Sequence, residues 1–221
     1  MLSGSLQGSI LSQSTGQAHA HPLQTMAYGR TDTAEPADSL DQSLTGIVRP
    51  CDLDLLTGDR EQALSILERL TADAYALNEA PAVKGLLTAS PQRLTLQELP
   101  AYRKVRSIQV NDLGIFSYPY FNCRFRTTGG KLFFEKTTGS QRKSGHIYDN
   151  RSSSKVFLGG WSVNNDPQTT YGSENSVAGK VYKIGRDKVI MLFLADDKRS
   201  FELYELKKQP RQPHLTAPLS R

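Results

Sequence analysis

With 221 residues, 38% hydrophobic side chains and no apolar run near the roughly 18 residues of a spanning helix, the chain has globular composition, and no membrane span is expected. A net charge of +5 conceals an uneven layout: residues 1–100 carry 6 basic and 12 acidic side chains, 101–160 carry 11 and 3, and 161–221 carry 10 and 7. A basic middle fits a nucleic-acid binder, or an acidic helix packed near a basic sheet within one molecule.

Residues 1 to about 46 are rich in Ser, Gln, Thr, Gly and Ala without apolar periodicity. Such a segment cannot bury enough apolar surface to offset its ordering entropy, so a disordered arm is expected. His19 and His21 are expected to be inert there. Met1–Ala20 lacks the charged start and roughly 7–15-residue apolar core of a secretory signal, which points to a cytoplasmic chain or to a start upstream of Met1.

The single folded domain is expected over 47–208. Thr57 is placed to cap a helix, Asp59 and Glu61 put negative charge in its first turn, and Ala63, Leu64, Leu67, Leu70, Ala74 and Leu77 recur at helical spacing. Asn78 and Pro81 read as its end, so one long amphipathic helix is predicted over about 58–79. Residues 80–101 read as a connection with a short helical turn around Leu94–Leu99.

After Pro100 the apolar period becomes two. Strands are predicted near 102–110, 115–126, 131–137, 143–149, 154–163, 177–184, 187–195 and 200–207, separated by Gly and Asx residues. Short connections force antiparallel neighbours, and about eight such strands bury their edges best by closing. The fold class expected is therefore α+β, mainly β: an up-and-down, lipocalin- or avidin-like antiparallel barrel. Gly159-Gly160 reads as a bend or bulge with Trp161 packed against it, and the longer Asn164–Asn175 link as a lid or flap. The tail from Gln209, with three prolines, reads as loose.

Cys51 and Cys123 are too few for tetrahedral zinc, and no CxxC or HxxxH spacing occurs. In an oxidising compartment they are able to form one disulfide. No GxSxG, HExxH, GxGxxG or P-loop is present, and no cofactor is expected. The candidate site is the basic, glycine-punctuated stretch around Ser140, Gln141, Arg142, Lys143, His146 and Tyr148, where backbone and side-chain donors suit an anionic group. A solvated hairpin turn explains the same residues without a ligand.

Several stretches together resemble one family. They are Thr57-Gly-Asp-Arg, Tyr118-Pro-Tyr-Phe-Asn-Cys-Arg, Lys136-Thr-Thr-Gly-Ser-Gln-Arg, Val156-Phe-Leu-Gly, Tyr171-Gly, Val177-Ala-Gly with Ile184-Gly, and Leu203-Tyr-Glu-Leu. Their order and spacing over 51–208 look like the bacterial domain-of-unknown-function family numbered 4893. The resemblance implies a small, typically exported protein with no assigned reaction, hence a periplasmic or secreted location. Many members carry Tyr-Arg-Cys-Arg where this chain has Tyr102-Arg103-Lys104-Val105-Arg106, which puts a family disulfide in doubt here unless Cys51 substitutes.

Three functional classes follow. The leading one is a non-catalytic binding module of the cell envelope, taking a small anionic or apolar ligand or a protein partner. The second is an enzyme using Glu135, Arg142, His146 or Tyr148. The third, with aromatics Phe116, Tyr118, Tyr120 and Phe121 interleaved with arginines, is a single-stranded nucleic-acid binder, which ranks last.

Overall fold

The computed structural model describes residues 40–209, so the expectations for the arm before Leu40 and for the tail beyond Gln209 lie outside the described residues. Packing begins earlier than the arm boundary at 46, because Leu44 is already buried. Among the described residues no helix is long and apolar enough to cross a membrane.

In place of one long helix the chain forms three short ones: α1 (Pro50–Leu56), α2 (Asp59–Glu68) and α3 (Ala80–Thr88). Pro50 and Pro81 each lie in a first turn, where a missing N–H costs no hydrogen bond. Pro81 thus starts a helix rather than ending one. Thr57 does not cap α2; its hydroxyl donates to Leu53 O at the end of α1, and Gly58 at φ 61° turns the chain into α2. The leucine periodicity past residue 69 is overridden by a sheet. Tyr75 N donates to Leu113 O and Ile115 N donates to Tyr75 O, both at 2.9 Å, which fixes this backbone as extended structure. The predicted helical turn is present as a 3₁₀ segment, Leu96–Ala101.

Nine antiparallel strands follow: β1 (Tyr102–Asn111), β2 (Gly114–Ser117), β3 (Phe121–Thr128), β4 (Lys131–Lys136), β5 (Gln141–Tyr148), β6 (Lys155–Val163), β7 (Ser176–Gly185), β8 (Lys188–Leu194) and β9 (Phe201–Lys208). The order is β2-β1-β3-β4-β5-β6-β7-β8-β9, and β1 also pairs with β9, which closes eight strands into a barrel with β2 extra. The predicted 115–126 strand is two, because Pro119 interrupts it. Both pieces lie along β1, β2 against Ile108–Asn111 and β3 against Lys104-Val105.

The barrel centre is filled. Phe134, Phe157, Phe193 and Tyr204 form a closed ring of aromatic neighbours with centroids 5.3–6.2 Å apart. Glycines in the wall make room for it. A Cβ on Gly159 would meet Ser144 O at 2.1 Å and Phe157 Cζ at 2.7 Å, and one on Gly179 would meet Phe193 Cδ1 at 2.5 Å. The Gly159-Gly160 pair is therefore no bulge: the β5–β6 register runs unbroken through it, and its role is close approach.

Outside the barrel, Ala63, Ile66, Leu67, Val83, Leu86 and Leu87 from α2 and α3 share a core with Ile108, Val110, Ile190 and Leu192. Leu44, Val48 and Leu56 cover Val156, Leu158 and Ala178. Under the first turn of α2, the buried Asp59 carboxylate accepts a 2.6 Å bond from Tyr182 Oη and lies 3.8 Å from Lys180 Nζ. Removing one member of a buried ion pair costs about 3–5 kcal/mol. Lys180→Ala is accordingly expected to lower the urea midpoint far more than Lys198→Ala, whose partner Asp54 is exposed.

Candidate functional site

Strand alternation divides the predicted site between the two faces of the wall. Lys143 and Gln141 face the interior, in phase with Gly145 and Ile147, whereas Arg142, His146 and Tyr148 take the outward parity, Arg142 at the rim where β5 begins. The outward residues are engaged with their neighbours on the wall. The His146 ring lies edge-on to Phe133 at 5.1 Å, and burial, with Lys131 and Arg126 nearby, holds its pKa below the ordinary value. Lys131 lies over the Tyr148 ring at 5.3 Å. Ser140 is exposed in the turn, where its carbonyl accepts from Asn164 N at 2.7 Å. Glu135 is held by Arg124, Arg126 and Gln168.

The Asn164–Asn175 link is not a lid. It crosses the outer wall as a strap: Gln168 donates to Glu135 at 2.7 Å, Thr169 donates to Trp161 O at 2.7 Å, and Arg142 Nη2 donates to Asp166 O at 2.9 Å. Gly160 permits this, since a Cβ there would strike the Thr169 backbone at 2.9 Å. Tyr171 extends the strap to α1, donating to Asp52, which Arg49 also clamps with bonds of 2.7 and 3.0 Å. The disulfide is not formed. Cys51 is an exposed free thiol on α1 and Cys123 a buried one inside the barrel, the latter pushed up to about 12 chiefly by burial.

The inward set converges on a cavity, at the mouth formed by the start of β5 and the ends of β1, β6 and β8. A cavity of about 430 Å³ opens there, lined by Gln109, Gln141, Lys143, Trp161, Phe193 and Glu202 among others. Its floor is an ion pair between Lys143 and Glu202, with side chains 13% and 12% exposed. Ser107 donates to the same carboxylate. Beneath lies the aromatic ring: Lys143 Nζ is 4.9 Å from the Phe193 centroid and 5.2 Å from that of Tyr204. A second ammonium, Lys136, donates to Gln141 O at 2.5 Å and sits over Phe121 and Tyr204. Burial would raise the Glu202 carboxyl, but the Lys143 ammonium, the Ser107 hydroxyl and Lys136 together bring it below the usual range. Burial pushes Lys136 down.

Above this floor, Gln109 Nε2 donates to Gln141 Oε1 at 2.6 Å, and Trp161, directly across from Lys143 in the β5–β6 register, remains 40% exposed. Trp161 is not packed away against a bend. Glu202, Lys136, Trp161 and Gln109 are the candidate site residues that motif reasoning missed. Alternation carries the signal: Lys136 follows Leu132 and Phe134 on one face, and Glu202 precedes Tyr204 and Leu206 on another.

Glu202→Gln is expected to lower stability by about 3 kcal/mol at pH 7, because it leaves two buried ammonium groups without their carboxylate. A carboxyl with a depressed folded pKa contributes stability that is present above its unfolded value, near 4.3, and is lost as pH falls through the folded value. Urea titrations from pH 6 downward should therefore show a steeper acid loss in the parent than in Glu202→Gln.

No curated protein and no solved structure matches the chain. The family described as a domain of unknown function (DUF4893) matches over residues 45–205, a span that includes α1 through most of β9 and every residue of the mouth. The chain is thus a member of the DUF4893 family, as the Lys136–Arg142 stretch and its companions lead one to expect.

Proposed function

We propose that this protein is a non-catalytic binding module that takes a small polar molecule into the barrel mouth. The observation that carries the reading is the single tryptophan of the sequence, 40% exposed, standing over a charged floor inside a cavity. Concave sites with one exposed aromatic wall and a few convergent polar groups are the usual form of ligand pockets.

The lining favours a particular chemistry. Lys143 is balanced by Glu202, the rim sets Arg142 against Asp196 and Asp52, and two glutamine amides offer both donors and acceptors. Such a mouth attracts an anion less than the basic sequence of this region leads one to expect. It suits a neutral or zwitterionic ligand with one apolar face, of the kind a sugar ring presents. The enzyme reading is weaker, because His146 and Glu135 lie on the other face of the wall from Lys143. A place in the cell envelope, implied by the family resemblance, forms part of this proposal and is checked by cell fractionation.

Because Trp161 is the only tryptophan, its emission reports the mouth directly. Titrating the full chain with monosaccharides, disaccharides and free amino acids, with benzoate and acetate as anionic comparators, should give a saturable emission shift for one of the first three sets. Glu202→Gln and Gln141→Ala should each weaken it by about tenfold, corresponding to one charged or bidentate hydrogen bond. Emission unmoved by every compound, or moved equally in both variants, would remove the mouth as a ligand site.

A further inference from the structure

The opposite end of the barrel carries a second concave site. There the chain from Pro91 to Ala101 folds across the opening, with Leu94, Leu96 and Leu99 joining the interior core as a plug. Gln92 N anchors it by donating to Lys183 O at 2.7 Å, and Glu98 accepts from Lys183. Between this plug and the β5–β6 connection lies a cavity of about 660 Å³, lined by Arg93, Thr95, Arg151, Ser152, Ser153 and Lys155, with Asp149 its one carboxylate.

The connection is built rather than loose. Asn150 is 1% exposed; its Oδ1 accepts from Asp41 N at 2.7 Å, and its Nδ2 donates to Ser152 Oγ at 2.7 Å and Ser154 Oγ at 3.3 Å. This holds the Arg-Ser-Ser-Ser run in one shape. Three groups in the cavity then have unused capacity. Ser153 Oγ is buried and has no hydrogen-bond partner. Arg93 is exposed and makes no hydrogen bond or ion pair among the described residues. Lys155 has a side chain only 7% exposed, yet its ionic partner Asp149 is 73% exposed and held at 2.8 Å from the solvent side. Arg151 pairs with Asp41 at 3.0 Å while remaining 86% exposed.

We propose that this cavity is a receptor for a tetrahedral oxyanion, a phosphate or sulfate group, either free or at the end of a small ester. Such a group presents three oxygens at the end of an ester and four when free, enough to engage the buried hydroxyl, the ammonium and the forked guanidinium that line this one cavity. Lys155 would exchange the exposed Asp149 carboxylate for the ligand while keeping its 3.1 Å bond to Asn150 O. Cations outnumber acids on the lining, in contrast to the mouth, and the cavity is larger than one such anion.

The test is calorimetric titration of the full chain with sodium phosphate, sodium sulfate and glycerol 3-phosphate, at ionic strength held constant with chloride. Saturable binding of phosphate is expected, weakened about tenfold or more in Arg93→Gln and severalfold in Ser153→Ala, with Arg186→Gln on the β7–β8 turn unchanged. Arg93 is exposed, so its variant keeps the fold. Tighter binding of glycerol 3-phosphate assigns the site to an ester, and equal binding assigns it to the free anion. No saturation with any of the three, or equal weakening by Arg186→Gln and Arg93→Gln, overturns the proposal. The mouth reading is independent of the result, because Trp161 lies at the other end.

Discussion

Everything in this molecule depends on how four aromatic rings fit inside eight strands. A barrel this narrow is filled by side chains, and large rings fit only where the facing wall has none. Gly159 and Gly179 supply that absence, Gly145 lets the β5 and β6 backbones approach beside them, and the wall closes against Phe157 and Phe193 instead of being held apart. The filled centre then fixes the character of both ends. On one side, ammonium groups rest on ring faces, an arrangement that stabilises a cation after it has lost much of its water. On the other, leucines complete an apolar core. The protein therefore has two shallow ends in place of one deep cavity.

The charged floor follows from the same packing. Lys143, Lys136, Glu202 and Ser107 are the first interior positions above the rings, too deep for full solvation and too near the mouth to be replaced by leucine without closing it. Buried charges persist when each has a partner, and here a single carboxylate serves two ammonium groups and one hydroxyl. The arrangement positions charge rigidly at the bottom of an open cavity, which is what a binding site needs from its scaffold.

The sheet was legible in the sequence because its signal is local. Period-two alternation and glycine or Asx punctuation mark seven of the nine strands within a few residues, and short links dictate antiparallel order. Closure was an inference from edge burial, and β1–β9 pairing bears it out. The helices were less legible, since leucines at 64, 67, 70 and 77 fit one helix as well as two segments, and only the distant Leu113–Ile115 backbone decides between them. The site was half legible. The 139–148 stretch does reach a cavity, but alternation sends every second side chain outward, so a contiguous run cannot form one site. Glu202, the partner of Lys143, comes from β9, 59 residues after it, and Ser107, which donates to the same carboxylate, lies on β1, 95 residues before Glu202, separations no motif records.

The β1–β9 seam has a consequence for how the chain reaches this state. It joins the first and last strands, Val105 to Leu206 and Val110 to Phe201, so the eight-strand wall has two open edges until the final strand is in place. Non-local closure of this kind is slow, because loop entropy is lost before the contacts that reward it have formed. A nascent chain that has emerged only through β8 therefore exposes the pairing edges of β1 and β8 together, along with the apolar rows Val105–Val110 and Val189–Leu194. Both edges take β9 as their partner, so the β9 of a completed second copy is able to pair there, which makes the interval before Phe201–Lys208 is synthesised the one in which this fold is most open to exchange between chains.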